Sequence, residues 1–296
     1  MPRHKRDLSK RYRIEHGDTF RLKDFDPGDT GGIKSKEAAA EQLEEEVRTL
    51  CELQEKLYAQ AEWSLLLVFQ AMDGAGKDAT IKHVLSGVNP QGCKVSSFKK
   101  PSDKELSHDF LWRASRLLPE RGYIGAFNRS YYEEVLLVRV HPDYLENQNI
   151  PKKLVTKQIW RERFQSINDF EWHLTRNGTV VLKFLLHLSP EEQRRRILER
   201  IDEPEKNWKF EIGDIAERKL WDRYMKAFEE MVRNTATTEA PWHVVPADHK
   251  WFTRLVVSSV IIEKLRSLNL HLPKLSADKK KQMARARADL AGHKSQ

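Results

Sequence analysis

The stretch Ser64-Leu-Leu-Leu-Val-Phe-Gln70 runs straight into Ala71-Met-Asp-Gly-Ala-Gly-Lys-Asp78. The first seven residues form a short, nearly continuous apolar run, which suits a strand covered on both faces. The next eight approximate the phosphate-binding pattern G-x-x-x-x-G-K-[ST], in its required place between a strand and a helix. Gly74, Ala75 and Gly76 form the turn of this cradle, where the backbone approaches an anion closely. Successive N–H groups and the N-terminus of the following helix then point at phosphate oxygens. Lys77 adds a cation on a flexible stem. Two positions depart from the pattern: Ala71 replaces the first glycine and Asp78 the final Ser/Thr. Asp73 and Asp78 would repel a bound polyphosphate unless a cation stood between them. Mg²⁺ takes carboxylate and phosphate oxygens together, so Asp73 is the expected metal ligand. Asp78 shares that task or caps the helix. Without a ligand, the same stretch would read as an ordinary strand–helix turn.

The rest of the chain alternates strand and helix patterns. Further strands are predicted at Lys94–Phe98, Tyr123–Phe127, Thr179–Leu186 and Trp242–Val245. Helical periodicity falls near 36–61, 77–85, 103–118, 131–139, 152–176, 190–202, 212–234 and 248–268. Such alternation implies crossover connections and a parallel sheet. Residues 1–34 are polar, with Asp-Pro-Gly-Asp and Gly-Gly punctuation, and read as an arm lying on the body. Residues 35–273 form the body, with a lid at about 190–220. Residues 274–296 are a basic tail expected to be frayed and flexible.

The formal charge of +8 belongs to the ends. Residues 1–13 and 274–296 carry net +5 each, leaving −2 for the rest. A basic tail alone is weak evidence for nucleic-acid binding, which is disfavoured as the main function. No apolar run approaches the roughly 20 residues needed to cross a bilayer, so no membrane role is expected. Cys51 and Cys93 are the only cysteines, which excludes a disulfide framework and fits a cytoplasmic protein. No His-Glu-x-x-His or Gly-x-Ser-x-Gly pattern occurs, so metal- and serine-hydrolase readings find no support.

A second strand end carries chemistry. Gly125-Ala-Phe-Asn-Arg-Ser-Tyr-Tyr-Glu-Glu134 follows a core strand. Ligands of open parallel sheets bind beyond the carboxyl ends of strands, so Asn128, Arg129 and Ser130 should face the cleft that holds Lys77. Arg129 offers a planar fork for phosphate, though a surface ion pair is the plainer alternative. Glu133, about one turn on, could reach a metal or an acceptor. Lys99, Lys100 and Arg113 form a basic cluster at another strand end and, with Asn128 and Glu133, are the expected nucleotide-binding residues. Arg194, Arg195, Lys206 and Lys209 lie on a dense basic segment broken by Pro204, either a lid closing over phosphates or a solvated helix.

Six segments, in order over roughly residues 30–270, resemble the polyphosphate kinase 2 family. They are Phe69–Asp78, Ser86–Gly92, Phe98–Pro101, His108–Arg113, Phe127–Glu134 and Pro204–Phe210. The resemblance implies an α/β, thymidylate-kinase-like P-loop fold: a parallel sheet flanked by helices, with a helical lid. It implies reversible Mg²⁺-dependent phosphoryl transfer between inorganic polyphosphate and a nucleotide. By position, Asp73 would hold Mg²⁺, Gly76 and Lys77 the donor phosphates, and Arg129 another phosphate, while Lys206 and Lys209 would belong to the lid. Many members have Asp where this chain has Asn128, which shifts metal ligation onto Asp73. The Tyr-Tyr-Glu-Glu version is similar to the subgroup accepting both AMP and ADP; guanine nucleotides are a further option. The family usually forms dimers or tetramers. The implied chemistry needs positioned charge and no phosphorylated residue. Basic residues beyond the loop, including Lys99, Lys100 and Arg113, could form a polyphosphate track, and Arg113 could equally hold the acceptor's phosphate. The alternatives are an ATP-dependent nucleoside or nucleotide kinase of the same fold and a nucleic-acid binder working through its tails.

Overall fold

The computed structural model describes residues 8–292; residues 1–7 and 293–296, the outer ends of the two basic tails, lie outside the described part. Six strands form one sheet: β1 (Arg13–Ile14), β2 (Ser64–Gln70), β3 (Cys93–Ser97), β4 (Ile124–Asn128), β5 (Thr179–His187) and β6 (Trp242–Pro246). The order is β1-β6-β5-β2-β4-β3. The five predicted strands are all present and pair in parallel. The two-residue β1 was not predicted and pairs antiparallel with β6, so the sheet is mixed at one edge.

The major helices are α1 (Lys36–Gln60), α2 (Lys77–Val84), α3 (Ile159–Arg176), α4 (Pro190–Asp202), α5 (Trp221–Thr235), α6 (Lys250–Ser267) and α7 (Ala277–Gly292). Every residue of β2 is buried, which explains its continuous apolar run. Leu65, Leu67 and Phe69 join one core, with residues of α1, α2 and α6. Leu66 and Val68 point the other way, into a core with α3, α5 and the aromatic rings of Phe127, Tyr131, Tyr132 and Trp242. Period-two alternation thus feeds two layers from one strand. Ser35 caps α1 by accepting from the Ala38 amide, and Ser189 caps α4 through Glu192 N.

Several predicted helices break. Residues 103–118 form two short turns, Asp103–Leu106 and Trp112–Ser115. A capping box at Ser102 starts the first. Asp109 then accepts from the Leu111 amide and restarts the chain. Residues 131–139 divide into a 3₁₀ turn, Tyr131–Val135, and a short helix, Leu137–Val140. The segment 212–234 divides into Ile212–Arg218 and α5, with Arg218 anchored to Pro190 O and Gln193. The segment expected as a lid consists of α4, a 3₁₀ turn (Pro204–Lys209) and Ile212–Arg218. In the tail, where fraying was expected, Ala277–Gly292 is helical, with all its described side chains exposed.

The arm is anchored in both cores, Leu8 and Tyr12 in one and Phe20 and Leu22 in the other. Asp29 clips it, accepting from Arg11 Nε (3.1 Å), Tyr12 Oη (2.8 Å) and the Gly31 amide (2.8 Å). Burial raises the Asp29 carboxyl, but the Gly31 amide, Tyr12 and Arg11 outweigh it and hold the group below the usual Asp range. A depressed pKa stabilises the fold above the ordinary carboxylate range and loses that effect as pH falls through the lowered value. Asp29→Asn should therefore lower the melting temperature by about 2 °C near neutrality, for ~1 kcal/mol lost. The gap should close in acid; thermal unfolding followed by circular dichroism across pH checks it, and a pH-independent gap would contradict it.

Candidate active site

The sheet order places β2 between β4 and β5, and β2 crosses over to β3 beyond β4. The carboxyl end of β2 therefore lies beside the switch in strand order, where open α/β sheets bind ligands. The loop 71–76 leaves β2 there. Gly74 (φ 88°) and Gly76 (φ 94°) both take left-handed backbone that glycine adopts without strain. Gly76 ends the loop as the residue before α2. Lys77 is buried, and its Nζ donates back to Ala71 O (2.9 Å) and Met72 O (3.3 Å).

Opposite the loop, Arg129 follows β4. It also adopts a left-handed conformation, φ 59°, while its amide donates to Phe69 O at 3.1 Å. Its guanidinium donates to Asp73 Oδ1 at 2.6 Å and lies 3.5 Å from Glu133 Oε2. Lys77 Nζ is 3.6 Å from the same Asp73 oxygen. Burial raises the Asp73 carboxyl, yet Lys77 and Arg129 more than reverse this and hold it below its ordinary range. Burial lowers Lys77, with Asp73 opposing. Glu133 is raised by burial, against the pull of Arg129 and Lys77. Arg129 is raised, chiefly by Glu133. Gln70 bridges the two strand ends: its amide donates to Glu133 Oε1 (2.8 Å) and accepts from Ser130 Oγ (2.9 Å).

Asp78 accepts from Asn128 Nδ2 at 2.6 Å. That bond gives the unusual residue after Lys77 a structural role, tying α2 to β4. Arg113 donates to Lys99 O (2.9 Å) and sits over the Phe98 ring. Its charge acts on both Glu133 and Glu134. Beside it is a cavity of about 150 Å³ whose lining includes His108, Phe110, Glu134 and Arg163. Lys99 and Lys100 are exposed at the strand end.

The basic residues of the segment expected as a lid divide by helix face. Gln193, Arg196 and Arg200 share one stripe of α4, at spacings of three and seven. Gln193 Nε2 donates to Asp73 O at 2.8 Å. Arg196, 4% exposed, donates to Gly74 O (3.1 Å), Ala75 O (3.0 Å), Ala247 O (2.6 Å) and Asp248 O (3.0 Å). Arg200 pairs with Asp214 at 2.7 Å, and its charge reaches Asp73. None of these three was singled out from the sequence, although the spacing marks the stripe. Arg194 and Arg195 fall off it and are exposed; Arg195 pairs with Glu192 and Glu199. Lys206 pairs with Glu199 and Glu203, and Lys209 lies 5.0 Å from the centre of the exposed Trp208 ring. Among the described residues, no bond joins Arg194, Arg195, Lys206 or Lys209 to the loop.

The arrangement is a glycine-rich cradle with Lys77, Arg129 and Arg200 around it and Asp73 at its lip, of a shape and charge suited to an anion. Among the described residues, no group of three or more acidic, His or Cys side chains forms a metal cage. Mg²⁺ does not need one, since it binds through one or two carboxylates with phosphates and water. Asp73, one-third exposed, and Glu133 supply oxygen donors of the right kind. Arg196 is the loop's brace. Arg196→Lys cannot span four carbonyls, and should cost about 2–3 kcal/mol of stability by leaving some of them unpaired. Denaturant unfolding measures this; an unchanged midpoint would contradict it.

The sequence profile of the family described as Polyphosphate kinase 2 (PPK2) matches residues 33–272. A protein named ADP-polyphosphate phosphotransferase, from Rhodopseudomonas palustris, is 50% identical over 283 residues, 95% of this chain and 98% of that one. An AMP/ADP-polyphosphate phosphotransferase of Meiothermus ruber is 46% identical over 265 residues, 89% of this chain and 95% of that one. The crystal structure of polyphosphate kinase 2 from Arthrobacter aurescens TC1 has a TM-score of 0.87 at 39% identity, covering 95% of this chain and 96% of that one. The profile takes in the whole of the cradle and its supports, and this chain belongs to the polyphosphate kinase 2 family.

Proposed function

We propose that this protein transfers a phosphoryl group reversibly between inorganic polyphosphate and adenine nucleotides, making ATP from ADP and ADP from AMP. The observation that carries this reading is the cradle at the end of β2, with Lys77 and Arg129 both drawn to Asp73 Oδ1, in a chain so similar to named polyphosphate phosphotransferases. The loop amides, Lys77 and Arg129 bind the donor's phosphates. Asp73 and Glu133 are the side chains that would hold Mg²⁺, which neutralises phosphate charge when bound. Arg113, with the adjoining cavity, receives the acceptor. Lys99, Lys100 and the lid's Arg194, Arg195, Lys206 and Lys209 extend the basic track for a long polyanion.

Phosphoryl transfer through a loose transition state asks the protein for alignment and charge stabilisation, not for a covalent intermediate. Arg129 meets the first need because the Phe69 carbonyl fixes its backbone and Asp73 and Glu133 aim its guanidinium. Lys77 meets the second as a buried cation a few ångströms from Asp73. Support for AMP as well as ADP comes from the name of the Meiothermus ruber relative; the Rhodopseudomonas palustris relative is named for ADP alone. No helix of the described residues is long and apolar enough to cross a membrane. We infer a cytoplasmic homo-oligomer, on the family resemblance and on two unpaired cysteines.

Luciferase detection of ATP, with Mg²⁺, polyphosphate and ADP or AMP, tests the reading directly. ATP should form from ADP; with AMP, ADP should appear first. Phosphorylation of AMP by ATP with no use of polyphosphate would instead establish an ATP-dependent kinase of this fold. Lys77→Ala and Asp73→Asn should each lower turnover about 10²–10³-fold with native circular dichroism. Near-normal turnover of Asp73→Asn across Mg²⁺ concentrations would remove Asp73 as the metal ligand. Because the donor is a polyanion, its KM should rise steeply with salt; a salt-independent KM would count against a basic track.

A further inference from the structure

Beneath the arginine turn lies a buried polar network with no direct part in the phosphate chemistry. Lys183, in the middle of β5, is fully buried, and Glu171 on α3 is 2% exposed. Lys183 Nζ uses all three of its hydrogens: on Glu171 Oε2 (2.6 Å), Tyr132 Oη (3.0 Å) and Thr235 O (2.7 Å). Glu171 Oε1 accepts from Tyr131 Oη (2.8 Å) and Tyr132 Oη (2.7 Å). Thr235 Oγ1 in turn accepts from Trp242 Nε1 at 2.9 Å. Strands β5 and β6, helices α3 and α5 and the turn 131–135 thus meet at one ion pair.

Stability alone is a poor explanation for such a pair. Taking two charges out of water offsets most of their attraction, and apolar residues of similar size often serve as well or better. What apolar residues cannot do is fix two consecutive tyrosine hydroxyls at one oxygen. Those tyrosines begin the 3₁₀ turn that holds Glu133, and they follow Arg129 with only Ser130 between. The other ties of this turn are made to different elements. Ser130 is bonded to Gln70 at the end of β2. Glu134 is held by Gln148 and, as an ion pair, by Arg163. The tyrosines are the turn's attachment to the sheet floor on the β5 side.

We propose that the Glu171–Lys183 pair is a positioning device: through Tyr131 and Tyr132 it sets the height and rotation of the turn, and so the aim of Arg129 and Glu133 at the transferring phosphoryl group. This rests on the phosphotransferase reading above. None of Tyr131, Tyr132, Glu171 and Lys183 is bonded to Asp73, Lys77 or the Arg129 side chain. Their effect passes through Arg129 and Glu133, and it falls on kcat because these groups are needed most where charge is redistributed.

Tyr132→Phe keeps the ring in place and cuts one tie. Tyr132→Phe/Glu171→Met/Lys183→Met replaces the charged centre with apolar groups and guards against a folding artefact. Both should keep native circular dichroism at 25 °C. The expected result is a kcat lowered about tenfold or more at saturating polyphosphate, with KM for ADP changed far less, as for a misaimed group. In an Arg129→Ala background Tyr132→Phe should cost clearly less, only what passes through Glu133, because coupled residues are not additive. An unchanged kcat in both folded variants, or an equal fold-loss with and without Arg129, would overturn the proposal and leave the network a structural one. Wild-type protein inactive with polyphosphate would defeat the functional reading instead. The same cycle is then read from ATP and AMP, and from the melting-temperature shift induced by tripolyphosphate, where the same non-additivity is expected and its absence overturns the proposal.

Discussion

Two cations share one carboxylate oxygen. Lys77 and Arg129 come from different strand ends, and each would repel the other if Asp73 did not stand between them. Asp73 keeps its charge against the cost of burial because both cations favour the ionised form. The triad is thus a compact cluster of net charge +1, held together by one carboxylate oxygen. Much of the surrounding structure keeps these three groups within a few ångströms of one another.

The supports come from several directions. Glycines at positions 74 and 76 let the loop fold over the end of β2. Arg196 and Gln193 hold its carbonyls from α4. The bond between Asn128 and Asp78 ties the following helix to β4. Arg129's own backbone is held in a left-handed conformation that a non-glycine residue adopts only under constraint. Below it the tyrosines reach Glu171 and Lys183. Preorganisation of this kind suits a reaction whose barrier falls mainly through fixed charge and alignment.

Helix α4 shows how a segment can serve two tasks. Its inner stripe braces the loop and sends Arg200 toward Asp73. Its outer face carries Arg194 and Arg195, in solvent or in ion pairs with neighbouring acids. The sequence Arg194-Arg195-Arg196 looks uniform, but successive residues are about 100° apart around a helix, so three adjacent arginines meet three environments.

The local signals were legible because they are local. A strand buried on both faces needs a continuous apolar run, and β2 has one. A phosphate loop needs glycine at fixed offsets and a lysine at the helix start, and residues 74–77 provide them. The alternation of strands and helices implied the parallel sheet, and strand-end placement put Arg129 opposite Lys77. The short antiparallel β1 was not legible, since two residues carry no periodicity. Nor were the breaks in 103–118 and 212–234, where side-chain bonds from Asp109 and Arg218 override helical pattern.

By itself the sequence determined the fold class, the place of the glycine loop and the cations expected near it, because these depend on backbone freedom and on burial period. Tertiary structure alone decided which cation faces which acid. It turned Arg196 inward and Arg195 outward, bonded Asp78 to Asn128, and brought Lys183 of β5 under the tyrosines of a turn some fifty residues earlier. Such pairings follow from the packing of elements distant in the chain, where desolvation makes a buried charge costly unless a partner from another element meets it.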